Sequence, residues 1–69
     1  MPATTQDKLV KLLQESDGAQ MEASAMDSIV SDLYNGELPM SVDLLDDIES
    51  LCDTAIAHLK AVKRITRGI

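Results

Sequence analysis

Apolar positions recur along this chain in three runs with helical spacing, separated by residues that favour turns. The first run, Leu9, Val10, Leu12 and Leu13, follows Thr4, which can cap a helix, and Asp7, whose carboxylate suits the positive end of a helix dipole. Asp17-Gly18 reads as its stop. The second run, Met26, Ile29, Val30 and Leu33, advances by threes and fours, and Ala25, Met21 and Tyr34 extend the stripe. Asn35-Gly36 ends it with residues that accept positive φ, and Pro39 delays the next helix. Ser24 followed by Asp27 offers an alternative, internal start.

The third run has the clearest beginning. Ser41 reads as the cap, with Asp43, Asp46 and Asp47 in the first turns. Leu45, Ile48, Cys52, Ala55, Leu59 and Val62 then alternate by threes and fours, flanked by Leu44, Leu51, Ile56 and Ile65, and Gly68 closes the run. The pattern predicts an all-α chain of three helices, over about 4–16, 20–34 and 41–67. The third would be about 40 Å long.

Composition sharpens this picture. The chain has 69 residues, one Tyr, no Phe and no Trp. A chain of this length forms one helical domain, 1–69, and without large aromatics its core is thin. Thin cores in short chains usually need a disulfide, a metal or self-association. Cys52 is the only cysteine, and the only His, His58, lies six positions on, a poor helical spacing for a shared ligand site. Cys52 therefore reads as a small buried apolar residue. Self-association remains.

Two arrangements fit. Helices one and two could fold back along helix three, or helices two and three could form a hairpin that pairs with another copy into a four-helix bundle. The second is favoured, because the third helix carries a stripe too wide for its own chain to cover. Leu45, Ile48, Cys52, Ala55, Leu59 and Val62 are the expected self-association surface of a homodimer.

Charge is segregated along the chain. Residues 12 to 59 hold eleven acids and no Lys or Arg, whereas the rest holds six bases against Asp7, within a net charge of -6. Acids at helix starts and bases at helix ends suit the dipole, but that does not account for so long a stretch without a base. An acidic surface repels nucleic acid and attracts basic partner surfaces, including those that hold phosphates. Asp43, Asp46, Asp47 and Asp53 are thus expected on the partner-binding side. Lys60, Lys63, Arg64 and Arg67 fall near one helical face, which could bind an anion or meet the acidic half of an antiparallel copy. Without aromatic stacking partners, direct nucleic-acid contact is not expected.

No phosphate loop, metal-ligand spacing or nucleophile with an adjacent base occurs, so neither enzyme activity nor a cofactor is expected. No stretch reaches the roughly 20 apolar residues of a membrane span, and the start lacks a signal peptide's order, so the expected location is cytoplasmic. The turn between the second and third runs presents Tyr34, Leu38 and Met40, an apolar tip suited to a partner contact.

The run Ile29-Val30-x-x-Leu33-x-x-Gly36-x-Leu38-Pro39-x-x-x-x-Leu44 resembles the helical hairpin of the exonuclease VII small subunit, over residues 26 to 44. That resemblance implies an acidic hairpin, without an active site of its own, that docks on a large nuclease subunit. Beyond Leu44 the apolar spacing leaves the family's register, and Met21-Glu22-Ala23 replaces the family's Phe-Glu-containing start.

The leading expectation is a small, acidic, dimeric regulator or inhibitor that binds a larger protein of unknown identity, by occupying a basic nucleic-acid-binding surface. Small size, acidity and the lack of chemistry give the expectation of a phage- or mobile-element-encoded protein. The alternatives are an accessory subunit of a nucleic-acid enzyme and a phosphate-ligand or RNA binder using the C-terminal bases.

Overall fold

The computed structural model describes residues 4–69, and these form two helices. Helix α1 spans Thr5–Tyr34 and helix α2 spans Val42–Arg67, folded back on each other as a rod 52 Å long and 16 Å across. The protein is an all-helical hairpin.

The expected division at Asp17-Gly18 is not there, and the two helices expected over 4–16 and 20–34 are one. Gly18 is helical; among the described residues the one glycine with positive φ is Gly36, at 77°. A glycine inside a helix costs about 1 kcal/mol relative to alanine, which weakens a helix without ending it. What holds the helix through this point is α2, whose His58 ring lies so close that a Cβ on Gly18 would come within 2.8 Å of it. The glycine is a site of close approach. Ser24 and Asp27 likewise lie inside α1 and start nothing.

The predicted ends fare better. Thr4 and Asp7 form a reciprocal capping box: the Asp7 N–H donates to Thr4 Oγ1 at 3.1 Å and the Thr4 N–H to Asp7 Oδ2 at 3.3 Å. At the other end of α1 the Gly36 N–H donates to the Leu33 carbonyl and the Glu37 N–H to that of Asp32. This is the Schellman arrangement, and it needs the left-handed residue that Gly36 supplies. Asn35, which could also have taken positive φ, sits at φ -80°. Ser41 caps α2 by accepting from the Leu44 N–H at 3.2 Å, and Gly68 is its C-cap.

The helices meet along one seam. On α1 the partly or fully covered positions Lys8, Leu12, Glu15, Ala19, Glu22, Met26, Ile29 and Leu33 alternate by fours and threes. On α2 the matching set is Leu44, Ile48, Leu51, Ala55, His58, Val62 and Ile65. Both follow the 3.5-residue repeat of a coiled-coil seam. The loop half is aliphatic, with Met26, Ile29, Leu33, Leu44, Ile48 and Leu51. The middle is small and polar, with Glu15, Gly18, Ala19, Glu22, Ala55 and His58. Among the described residues Ala19 alone is buried, at 8% exposure. The seam is narrow.

Candidate functional site

Two close contacts mark the two flanks of the seam. On one, Nδ1 of His58 donates to Oε2 of Glu15 at 2.7 Å, with the His58 ring against Gly18. A carboxylate can only accept, so Nδ1 carries the proton in this pair. On the other flank the Cys52 thiol donates to the Met26 thioether at 3.2 Å. Cys52 is half-buried against α1, not sealed in a core. Its thiol and His58 lie on opposite flanks and do not converge. Among the described residues no group of three or more His, Cys, Asp or Glu side chains could hold a metal ion.

The Met26–Cys52 flank is apolar on its outside. With 3.6 residues per turn, Leu9, Leu13, Val30 and Tyr34 project on the Met26 flank of α1. Val42, Leu45, Ile56 and Leu59 project on the Cys52 flank of α2, the same side of the rod. All eight are large and substantially exposed, from Leu9 at 45% to Tyr34 at 90%. Ten large apolar side chains of the two helices are so exposed, and eight fall here, the others being Val10 and Met21. The Glu15–His58 flank is bordered by Lys11, Gly18, Ala25, Asp32, Asp47, Thr54 and Ala61, which are small or polar. The hairpin therefore has one apolar side.

The expected self-association set divides on this frame. Ile48, Ala55 and Val62 are half-buried in the seam with α1, so their surface is used within the chain. Leu45 and Leu59 face outward and Cys52 lies between the two groups. The outward side is completed by residues outside that expected set: Leu9, Leu13 and Val30 of α1, and Val42 and Ile56 of α2. The signal for them is present in α2, since Val42, Leu45, Cys52, Ile56 and Leu59 advance by two threes, one four and one seven. On α1 it was hidden by Ser16, Gln20 and Asp27 on the same line.

The expected partner residues lie toward the loop end. Tyr34 and Met40 stand out from the turn, while Leu38 is half-buried and its N–H donates to the Asp32 carbonyl at 3.3 Å. Asp43, Asp46, Asp47 and Asp53 are all exposed. Their helical positions are turned away from the line of Leu45, Cys52 and Leu59. An acidic surface and an apolar surface are thus separately available.

At the opposite end the fold assembles a basic tip. Antiparallel helices bring the start of α1 beside the end of α2, where Nζ of Lys8 donates to the Gly68 carbonyl at 2.7 Å. Lys8, Lys11 and Arg64 line a shallow depression with Asp7, Ile65 and Gly68, and Lys60, Lys63, Arg64 and Arg67 line a second. All six bases of the chain occupy this end. Among the described residues no Lys or Arg nitrogen lies within 4.0 Å of a carboxylate. The expected C-terminal cluster is enlarged by Lys8 and Lys11, which sequence distance had kept apart.

No helix of the described residues is long and apolar enough to cross a membrane. No protein-family model, curated protein or solved structure matches the chain.

Proposed function

We propose that the protein is a non-enzymatic interaction module, a small acidic helical hairpin that pairs with a second copy and, as a dimer, binds and regulates a larger protein. The observation that supports this most is the apolar side formed by Leu9, Leu13, Val30, Tyr34, Val42, Leu45, Ile56 and Leu59, on a hairpin in whose seam Ala19 alone, among the described residues, is buried. Exposed apolar patches of this extent mark interaction surfaces. A standard protein interface covers about 800 Å² per partner, about 15% of the 5322 Å² surface of this hairpin. A bundle of four helices would double the layers across which apolar side chains meet.

Dimerisation through that side leaves Asp43, Asp46, Asp47 and Asp53 free. They would meet a basic surface of the larger protein, of the kind that otherwise holds phosphates. Sedimentation equilibrium at micromolar concentration tests the first step: the native chain runs at twice 7.5 kDa, and Ile56→Asp with Leu59→Asp runs at 7.5 kDa. A native chain at the single-chain mass refutes the dimer. For the second step, replacing the four aspartates by asparagine abolishes capture of the partner and leaves the dimer intact.

A second reading, an anion or RNA binder, is favoured by the basic tip, whose six bases have no carboxylate partner among the described residues. Neutralising Lys60, Lys63, Arg64 and Arg67 abolishes function under that reading and spares it under the first. The accessory-subunit reading shares the hairpin shape and the acidic surface with the leading one, and differs only in making the partner a nucleic-acid enzyme.

A further inference from the structure

The hairpin is strongly polarised along its length. Its loop half, residues 20 to 55, holds nine acids and no base, whereas its tip half, residues 4 to 19 and 56 to 69, holds six bases against Asp7, Glu15 and Asp17. The apolar side runs the length of the rod, with Leu9 and Leu13 near the tip and Tyr34 and Val42 near the loop. Two copies joined on that side must choose an orientation. Side by side in the same direction, the two acidic loop halves would lie together and the two basic tips would lie together. In opposite directions each basic tip lies beside an acidic loop half.

We propose that two copies pair in opposite directions about a two-fold axis at Ile56, so that Glu49 of each copy faces Lys63 of the second copy. The proposal rests on the self-association argued above and adds its geometry. The outward line of α2 carries Val42, Glu49, Ile56 and Lys63 at intervals of seven, and beside it Leu45, Cys52, Leu59 and Thr66 at the same interval. Ile56 is midway between Glu49 and Lys63, so an isologous contact centred there pairs these opposite charges twice. The same axis sets Ile56 opposite Ile56 and brings Cys52 to within about one residue's rise, about 1.5 Å, of the level of Leu59 in the second copy, on the neighbouring outward line. Glu49 and Lys63 are both exposed in the single hairpin, and neither is in an ion pair there.

The axis lies near the middle of α2, so the two rods overlap along nearly their whole length. Full overlap maximises both the apolar contact and the number of opposite charges within a screening length, about 8 Å at physiological salt. Attraction between unlike halves also gives a definite salt response. Added salt weakens this dimer, whereas it would strengthen a dimer in which like halves meet.

The test is sedimentation equilibrium of the native chain, Glu49→Lys, Lys63→Glu and the double exchange, with helicity checked by circular dichroism. Each single reversal should weaken the dimer by about tenfold, from two symmetry-related pairs turned repulsive, and the double exchange should restore it to within about threefold. Single reversals without effect, or a double exchange no better than the singles, would overturn the pairing. A nitroxide at Glu37→Cys in a Cys52→Ala background gives an independent reading of direction. Pulsed dipolar spectroscopy should return a separation on the order of the 52 Å rod length. A dimer with labels under about half that distance, or one tightened by salt, overturns the opposed orientation and leaves self-association standing. A native chain that stays at 7.5 kDa overturns both.

Discussion

Replacing Gly18 by alanine separates the two forces that meet at the middle of this hairpin. In an exposed helix the change would stabilise by about 1 kcal/mol, through helix propensity and a less disordered unfolded chain. Here the new Cβ would sit 2.8 Å from Cε1, 2.9 Å from Nε2 and 3.0 Å from Nδ1 of His58. Ordinary contact between such atoms begins near about 3.5 Å, so the ring must withdraw by roughly 0.5–0.7 Å. The ring is held by the 2.7 Å bond from Nδ1 to Glu15, which a shift of that size carries to the limit of hydrogen-bonding distance. Losing it costs about 0.5–1.5 kcal/mol, which offsets the propensity gain. Gly18→Ala should therefore change stability by no more than about 0.5 kcal/mol.

The control is the same change in a His58→Ala background, where the ring is gone and the full gain of about 1 kcal/mol should return. Urea unfolding followed at 222 nm, at one protein concentration because a self-associating chain unfolds in a concentration-dependent way, measures all four proteins of the cycle. A coupling near 1 kcal/mol between positions 18 and 58 is the expected result. Equal stabilisation in both backgrounds would refute the argument that His58 packs on Gly18.

Two further outcomes follow from local geometry. Gly36→Ala should destabilise by about 1–2 kcal/mol by urea unfolding, because its φ of 77° disfavours a side chain although nothing lies within 4 Å of the added Cβ; a neutral result would mean that the turn relaxes. Glu22→Leu should stabilise by about 1 kcal/mol in the same assay, since position 22 is half-buried in the seam and the apolar replacement adds roughly 40 Å² of covered surface. A loss of stability at that site would mean that the Glu22 carboxylate has a favourable partner.

The all-helical class, the second turn and the long final helix were legible in the sequence because each rests on local chemistry. Thr4, Ser41 and Gly36 satisfy backbone groups within a few residues of themselves, and the stripe on α2 has a period that only a helix presents on one face. The helical role of Gly18 is not legible in the sequence, for the converse reason. Its role depends on His58, forty positions away, and beside an aspartate it looks like any glycine that ends a helix. The seam on α1 was also concealed, because Lys8, Glu15 and Glu22 occupy positions that a hydrophobic pattern leaves blank. These three tolerate the seam because it is narrow and open enough for charged ends to reach water.

The sequence by itself determined that the chain is helical, where it turns, and that its acids and bases are separated. All of these follow from residue spacing and capping within a few positions. Only the tertiary structure decided that there are two helices, that Ile48, Ala55 and Val62 are spent on the chain's own seam, and that the outward apolar side draws on both helices. It also decided that Lys8 and Lys11 join the C-terminal bases at one tip. The physical reason is the antiparallel fold-back at Gly36. It converts distance along the chain into proximity at the tip, and so gives a linear charge pattern its direction along the rod.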